Sequence, residues 1–105
     1  MKFLSQVPLV DLYGAVGREG DALPIIEKII ASFGNRRTKE LAQWQHRLGQ
    51  AYERMGNEAQ ALTMYDAAFK IDLTSVPILR DLGLLCLRTG DLERAQKTFR
   101  ALLLQ

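Results

Sequence analysis

The stretch Leu48–Ala68, LGQAYERMGNEAQALTMYDAA, decides the fold, because its pattern returns 34 residues later as LGLLCLRTGDLERAQKTFRAL over Leu82–Leu102. At that offset Leu48-Gly49 meets Leu82-Gly83, Tyr52 meets Cys86 and Gly56 meets Gly90. Further along, Ala61 meets Ala95, Tyr65 meets Phe99 and Ala68 meets Leu102. A fixed period of this length signals stacked helix pairs, each too small to bury its apolar face alone.

The clearest unit runs from about Leu41 to Leu73. In its first half Leu41, Trp44, Leu48, Ala51, Tyr52 and Met55 recur at spacings of three and four, which puts one apolar stripe on one helix face. A helical glycine costs about 1 kcal/mol relative to alanine, so Gly49 and its counterpart Gly83 mark close approach of a neighbouring helix. Gly56 can take the left-handed conformation that ends a helix, and Asn57 can then cap the next one. That pair recurs as Gly90-Asp91 and, near the start, as Gly20-Asp21. Ala61, Tyr65 and Ala68 then face back onto the first helix.

Another unit runs from about Ser75 to Gln105, with Ser75 as N-cap and Pro77 in the first helical turn. Leu79, Leu82, Gly83 and Cys86 form its first stripe; Ala95, Phe99 and Leu102 belong to its second helix. Ahead of both, a degenerate unit spans about residues 4–37, beginning with a helix over Leu4–Val16. Aligning Gly20-Asp21 with Gly56-Asn57 places Leu9, Leu12, Val16, Ile25 and Ile29 at apolar positions. The spare residues fall in Gly34–Thr38, which reads as a loop. The expected architecture is all-α: three antiparallel helix pairs stacked as a right-handed α-solenoid, one domain over 1–105 and part of a longer array.

Composition bounds the function. Of 105 residues 48% are hydrophobic and 25% charged, as in ordinary soluble domains, and a net charge of +2 argues for neither nucleic acid nor anionic membrane as partner. No stretch is long and apolar enough to span a bilayer. The apolar start is broken by Gln6, Pro8 and Asp11, unlike a secretion signal. Cys86 is the single cysteine, which excludes an internal disulfide and fits a reducing, cytoplasmic setting. Cys86 reads as a buried, inert thiol, and His46 has no partner at metal-ligand spacing. The glycines of Gly14–Gly20 lack the Lys-Ser or Lys-Thr of a phosphate loop. No catalytic residue, metal or cofactor is expected. Arg36, Arg37 and Lys39 form the densest basic run and read as a solvated loop.

The order Leu-Gly, aromatic, Gly, Ala, aromatic, Ala resembles the tetratricopeptide repeat. Two positions depart from that pattern: Trp44 stands one place before the usual Trp, and Leu73 stands where a Pro usually closes the repeat. The resemblance implies a non-catalytic module that binds a protein or peptide in a concave groove lined by the first helix of each pair. Carried over by position, the groove comprises Gln43, His46, Arg47, Gln50 and Arg54, then Arg80, Leu84, Leu87 and Arg88, with Val10, Gly14 and Arg18 in the degenerate unit. The Lys and Asn of the family's carboxylate clamp are absent, since Val10 and Gly14, His46 and Gln50, and Arg80 and Leu84 stand there. Its arginines would make the groove mildly basic and suit an acidic ligand. The alternative is a scaffold segment that self-associates or stacks on further repeats through Phe99, Leu102, Leu103 and Leu104 in the C-terminal helix.

Overall fold

A computed structural model describes residues 19–105. The helix expected over Leu4–Val16, with Val10, Gly14 and Arg18, lies outside them. Within them five helices follow one another: α1 (Glu19–Ser32), α2 (Lys39–Arg54), α3 (Glu58–Ile71), α4 (Val76–Thr89) and α5 (Leu92–Leu103). Each packs chiefly on its neighbours in the chain, as in a repeat fold whose contacts run in one dimension. The all-α helical repeat read from the sequence is the observed fold.

The two recurring turns work as their sequences require. Gly56 and Gly90 adopt left-handed φ values of 81° and 90°. Asn57 N–H then reaches back to the carbonyl of Tyr52 at 2.9 Å, and Asp91 N–H to that of Cys86 at 2.9 Å. These bonds satisfy carbonyls that the helix end would otherwise leave orphaned. Asn57 Oδ1 and Asp91 Oδ1 accept from the amides of Gln60 and Arg94, capping the next helix.

Gly20-Asp21 does not repeat this device. Both residues lie inside α1, and Gly20 is not among the glycines of positive φ. Had Asp21 capped the helix, Pro24 would sit in the first turn, where its missing N–H is harmless. With the helix starting at Glu19, Pro24 is interior and leaves one backbone bond unmade. The buried stripe shifts as well: Ile29 is buried as expected, but Ala22 and Ile26 join it, and Ile25 packs at its margin.

Gly34, at φ 58°, ends α1. Arg36 folds back over this end, donating from Nε to the Phe33 carbonyl at 3.1 Å and from Nη2 to the Ser32 carbonyl at 3.0 Å. Its guanidinium also lies 5.4 Å from the Phe33 ring centre. Thr38, which the apolar periodicity did not single out, caps α2 by accepting from Leu41 N–H at 3.2 Å. Ser75 holds the N-cap position of α4 as expected, but only through its backbone; its side chain makes no capping bond.

The close approaches read from Gly49 and Gly83 are present. A Cβ on Gly49 would meet the Tyr65 ring at 2.6 Å, and one on Gly83 the Phe99 ring at 2.9 Å. Tyr65, Ala61, Leu85 and Cys86 are fully buried in the cluster that joins the two pairs. Met55, placed on the apolar stripe by spacing, is half exposed because it is already the C-cap of α2.

Candidate functional site

The first helices of the two complete pairs, α2 and α4, flank a hollow of about 350 Å³ lined by Gln50, Glu53, Arg54, Tyr65, Asp81 and Arg88. Helical spacing explains the α2 side. His46, Gln50, Glu53 and Arg54 fall at intervals of three and four, on the side of α2 away from its buried stripe. The α4 side is set by Leu79, Leu82 and Cys86, whose burial turns Arg80, Leu84, Leu87 and Arg88 outward.

Asp81 organises one half of this face. His46 Nε2 donates to its Oδ2 at 2.5 Å, and Gln50 Nε2 donates to the same oxygen at 3.1 Å. Arg80 Nε donates to Oδ1 at 3.3 Å. Burial pushes the Asp81 carboxyl up, but the hydrogen bonds and charge of these neighbours outweigh it and hold it below its usual range. The His46 ring also leans on Tyr65, centre to centre 5.6 Å.

Glu53 organises the other half. The buried phenol of Tyr65 donates to its Oε1 at 2.6 Å, and Arg88 Nη2 to its Oε2 at 2.5 Å. Arg88 Nε meanwhile reaches Glu58 Oε2 at 2.7 Å. Burial first, and then the Glu53 carboxylate, raise the Tyr65 hydroxyl far above its ordinary range, so it stays a donor.

The structure therefore gathers Gln50, Arg54 and Arg88 around the hollow and ties His46 and Arg80 to it through Asp81. Gln43 is exposed beyond it. Arg47 is drawn aside, its guanidinium 4.9 Å from the Trp44 ring centre. Leu84 and Leu87 stay on the outward stripe of α4, each about half exposed. One expectation is corrected here. The hollow is not basic, because two arginines, Arg54 and Arg88, meet two carboxylates, Glu53 and Asp81. Those carboxylates were missed, although Glu53 shares the helical face of His46 and Gln50. Phe99 needs correcting too, since it packs against Gly83 in the core and not on an open end. Leu103 and Leu104 are exposed, at 84% and 85%.

Nothing among the described residues builds a metal centre: no group of three His, Cys, Asp or Glu side chains could hold an ion. Cys86 is buried, and burial pushes its thiol up. No helix among the described residues is long and apolar enough to cross a membrane.

Residues 42–75, covering most of α2 and all of α3, match the family model of the tetratricopeptide repeat. No curated protein matches the chain. Among solved structures, "MamA RS-1 ArsTM double mutant" is similar to it with a TM-score of 0.84 at 19% identity. The match covers 96% of this chain and 54% of that one, so the chain spans about half the length of this neighbour. At that identity the likeness is one of fold. Residues 42–75 thus match one tetratricopeptide repeat, set inside a helical repeat fold shared along nearly the whole chain.

Proposed function

We propose that the α2–α4 face is a non-catalytic docking surface for a protein segment. The observation that carries this reading is a preorganised polar hollow beside an exposed apolar pair. Asp81 and Glu53 fix His46, Gln50 and Arg88 in place before any partner arrives. Leu84 and Leu87, three residues apart on one face of α4, remain half exposed. Fixed donors and acceptors lower the ordering cost of binding, and the leucines supply apolar area. The partner fitted by this face offers two apolar side chains for the leucines and a mixed polar edge for the balanced hollow. Arg54 and Arg80 stand at its margins for an acidic flank.

The non-catalytic reading rests on what surrounds the His46–Asp81 pair. The groups that bond it are Gln50 and Arg80, neither of which is a nucleophile. Cys86 has the raised thiol of a buried side chain, the opposite of an activated one.

Selection of a random twelve-residue peptide library on the full chain, followed by titration of the recovered peptides, tests the proposal. Binding should fall more than tenfold in Leu84→Asp and in the Arg54→Glu, Arg80→Glu pair, with helix content unchanged. Undiminished binding in both would remove this face as the docking surface.

A scaffold role is favoured by a separate observation, the exposure of Leu103 and Leu104. In that reading they stack on another copy or on further repeats. Light scattering over a dilution series would then show a dimer that Leu103→Glu with Leu104→Glu abolishes; a monomer at every concentration would reject self-association.

A further inference from the structure

A larger hollow, of about 750 Å³, opens on the other side of α2. From α2 it is lined by Leu41 and Gln45, whereas the first is lined by Gln50, Glu53 and Arg54. At 3.6 residues per turn these two sets lie roughly 150° apart around the helix. The remaining walls come from the 34–37 loop, from α3 and from Arg94 of α5. Arg36, Arg37, Lys70 and Arg94 converge there against one carboxylate, Asp66. That carboxylate is shared: Arg94 Nη2 lies 2.5 Å from it and Lys70 Nζ 3.5 Å. Arg36 is held by neutral backbone carbonyls, so its charge is fixed in position without being cancelled. The basic character expected of the α2–α4 face is concentrated here instead.

We propose that this hollow is a second, independent binding site, for an acidic peptide segment. Its size is that of sites that hold several side chains, larger than a lone inorganic anion fills. Guanidinium groups pair with carboxylates through parallel hydrogen bonds, and three arginines offer that geometry, two from the 34–37 loop and one from α5. Apolar side chains of α2 and α3 share the lining, which suits a peptide whose acidic residues alternate with aliphatic ones. Among the described residues no aromatic side chain lines it, so these walls offer the bases of a nucleic acid no stacking platform. The amide oxygen of Gln45 is buried without a hydrogen-bond partner. A peptide N–H can satisfy it once the side chain turns into the hollow, whereas a phosphate dianion has no donor to offer.

The test is fluorescence anisotropy at low ionic strength on the full chain. The probes are labelled octapeptides carrying three glutamates among leucines and alanines, in a panel of spacings. At least one should bind, more weakly as salt rises. Arg37→Glu with Lys70→Glu should weaken it tenfold or more. Both side chains are exposed, and the neutral pair Arg37→Gln with Lys70→Gln, expected to lose several-fold, guards against a folding defect. Arg54→Glu with Arg80→Glu should change affinity less than twofold, and millimolar phosphate or an eight-residue oligothymidylate should not displace the peptide. The proposal is overturned if no peptide binds, if the charge-reversed pair binds as well as the parent, or if phosphate or the oligonucleotide competes on equal terms. Loss on reversing Arg54 and Arg80 alone would assign the peptide to the α2–α4 face and overturn this site while leaving the first proposal standing.

Discussion

The α2–α3 and α4–α5 pairs are built on one plan and finished differently. In each, a glycine on the first helix receives an aromatic ring from the second, Tyr65 against Gly49 and Phe99 against Gly83. Tyr65 is fully buried and its hydroxyl continues outward through Glu53 to Arg88 on the next pair. Phe99 is only partly buried and carries no polar tip. The same packing device is thus a coupling element in one pair and a local plug in the other. Similar spacing in sequence can specify the same contact without specifying what that contact transmits.

Truncation of the two rings should separate them most. Tyr65→Ala empties a fully buried site and is expected to cost about 4 kcal/mol, against about 2 kcal/mol for Phe99→Ala, whose ring is partly solvated already. Urea unfolding followed by circular dichroism measures both, and equal losses would break the comparison. Adding a methyl group comes next. Gly49→Ala drives Cβ into a ring with nowhere to go and should destabilise by about 2 kcal/mol, net of the improved helix propensity. Gly83→Ala should fall within about 1 kcal/mol of the parent, because Phe99 can tilt towards solvent.

Removing only the hydroxyl sharpens the contrast further. Tyr65→Phe should cost about 1 kcal/mol, since Glu53 keeps Arg88 as a partner. It should also lower the cooperativity between the pairs, seen as faster amide exchange in α4 and α5 than in α2. The smallest effect is acidification. The Asp81 carboxyl is held below its usual range in the folded state, so the unfolded chain takes up its proton first as pH falls. Its contribution is fully present above the ordinary aspartate value near 3.9 and is lost as pH drops through the depressed folded value. Denaturation midpoints between pH 6 and pH 3 should fall less in Asp81→Asn than in the parent.

Much of the fold was legible because short-range chemistry carries it. Gly56-Asn57 and Gly90-Asp91 each complete a stop and a cap within a few residues, and Gly49 and Gly83 announce the rings they receive. Gly20-Asp21 looks the same on paper, but a dipeptide acts as a turn only where the backbone takes the left-handed form, and here it does not. The site was legible by half. Helical spacing finds His46, Gln50 and Arg54 on one face, yet the net charge of a hollow depends on which side chains of other helices enter it. Asp81 meets His46 across 35 residues of chain, and Arg37 shares a hollow with Arg94 on α5. No local pattern encodes either meeting. Arg36 and Arg37 read as a solvated loop and are exposed, but they also line a hollow with residues of α3 and α5, which their neighbours in sequence do not announce.

The bond from Asp81 to His46 and Gln50 has a mechanical meaning as well. Helices that rest mainly on the next helix in the chain behave like links, and a pull on one end opens the nearest link first. Asp81 joins α4 directly to α2, skipping the link between them. A load applied to α5 should therefore reach α2 through Asp81 as well as through α3.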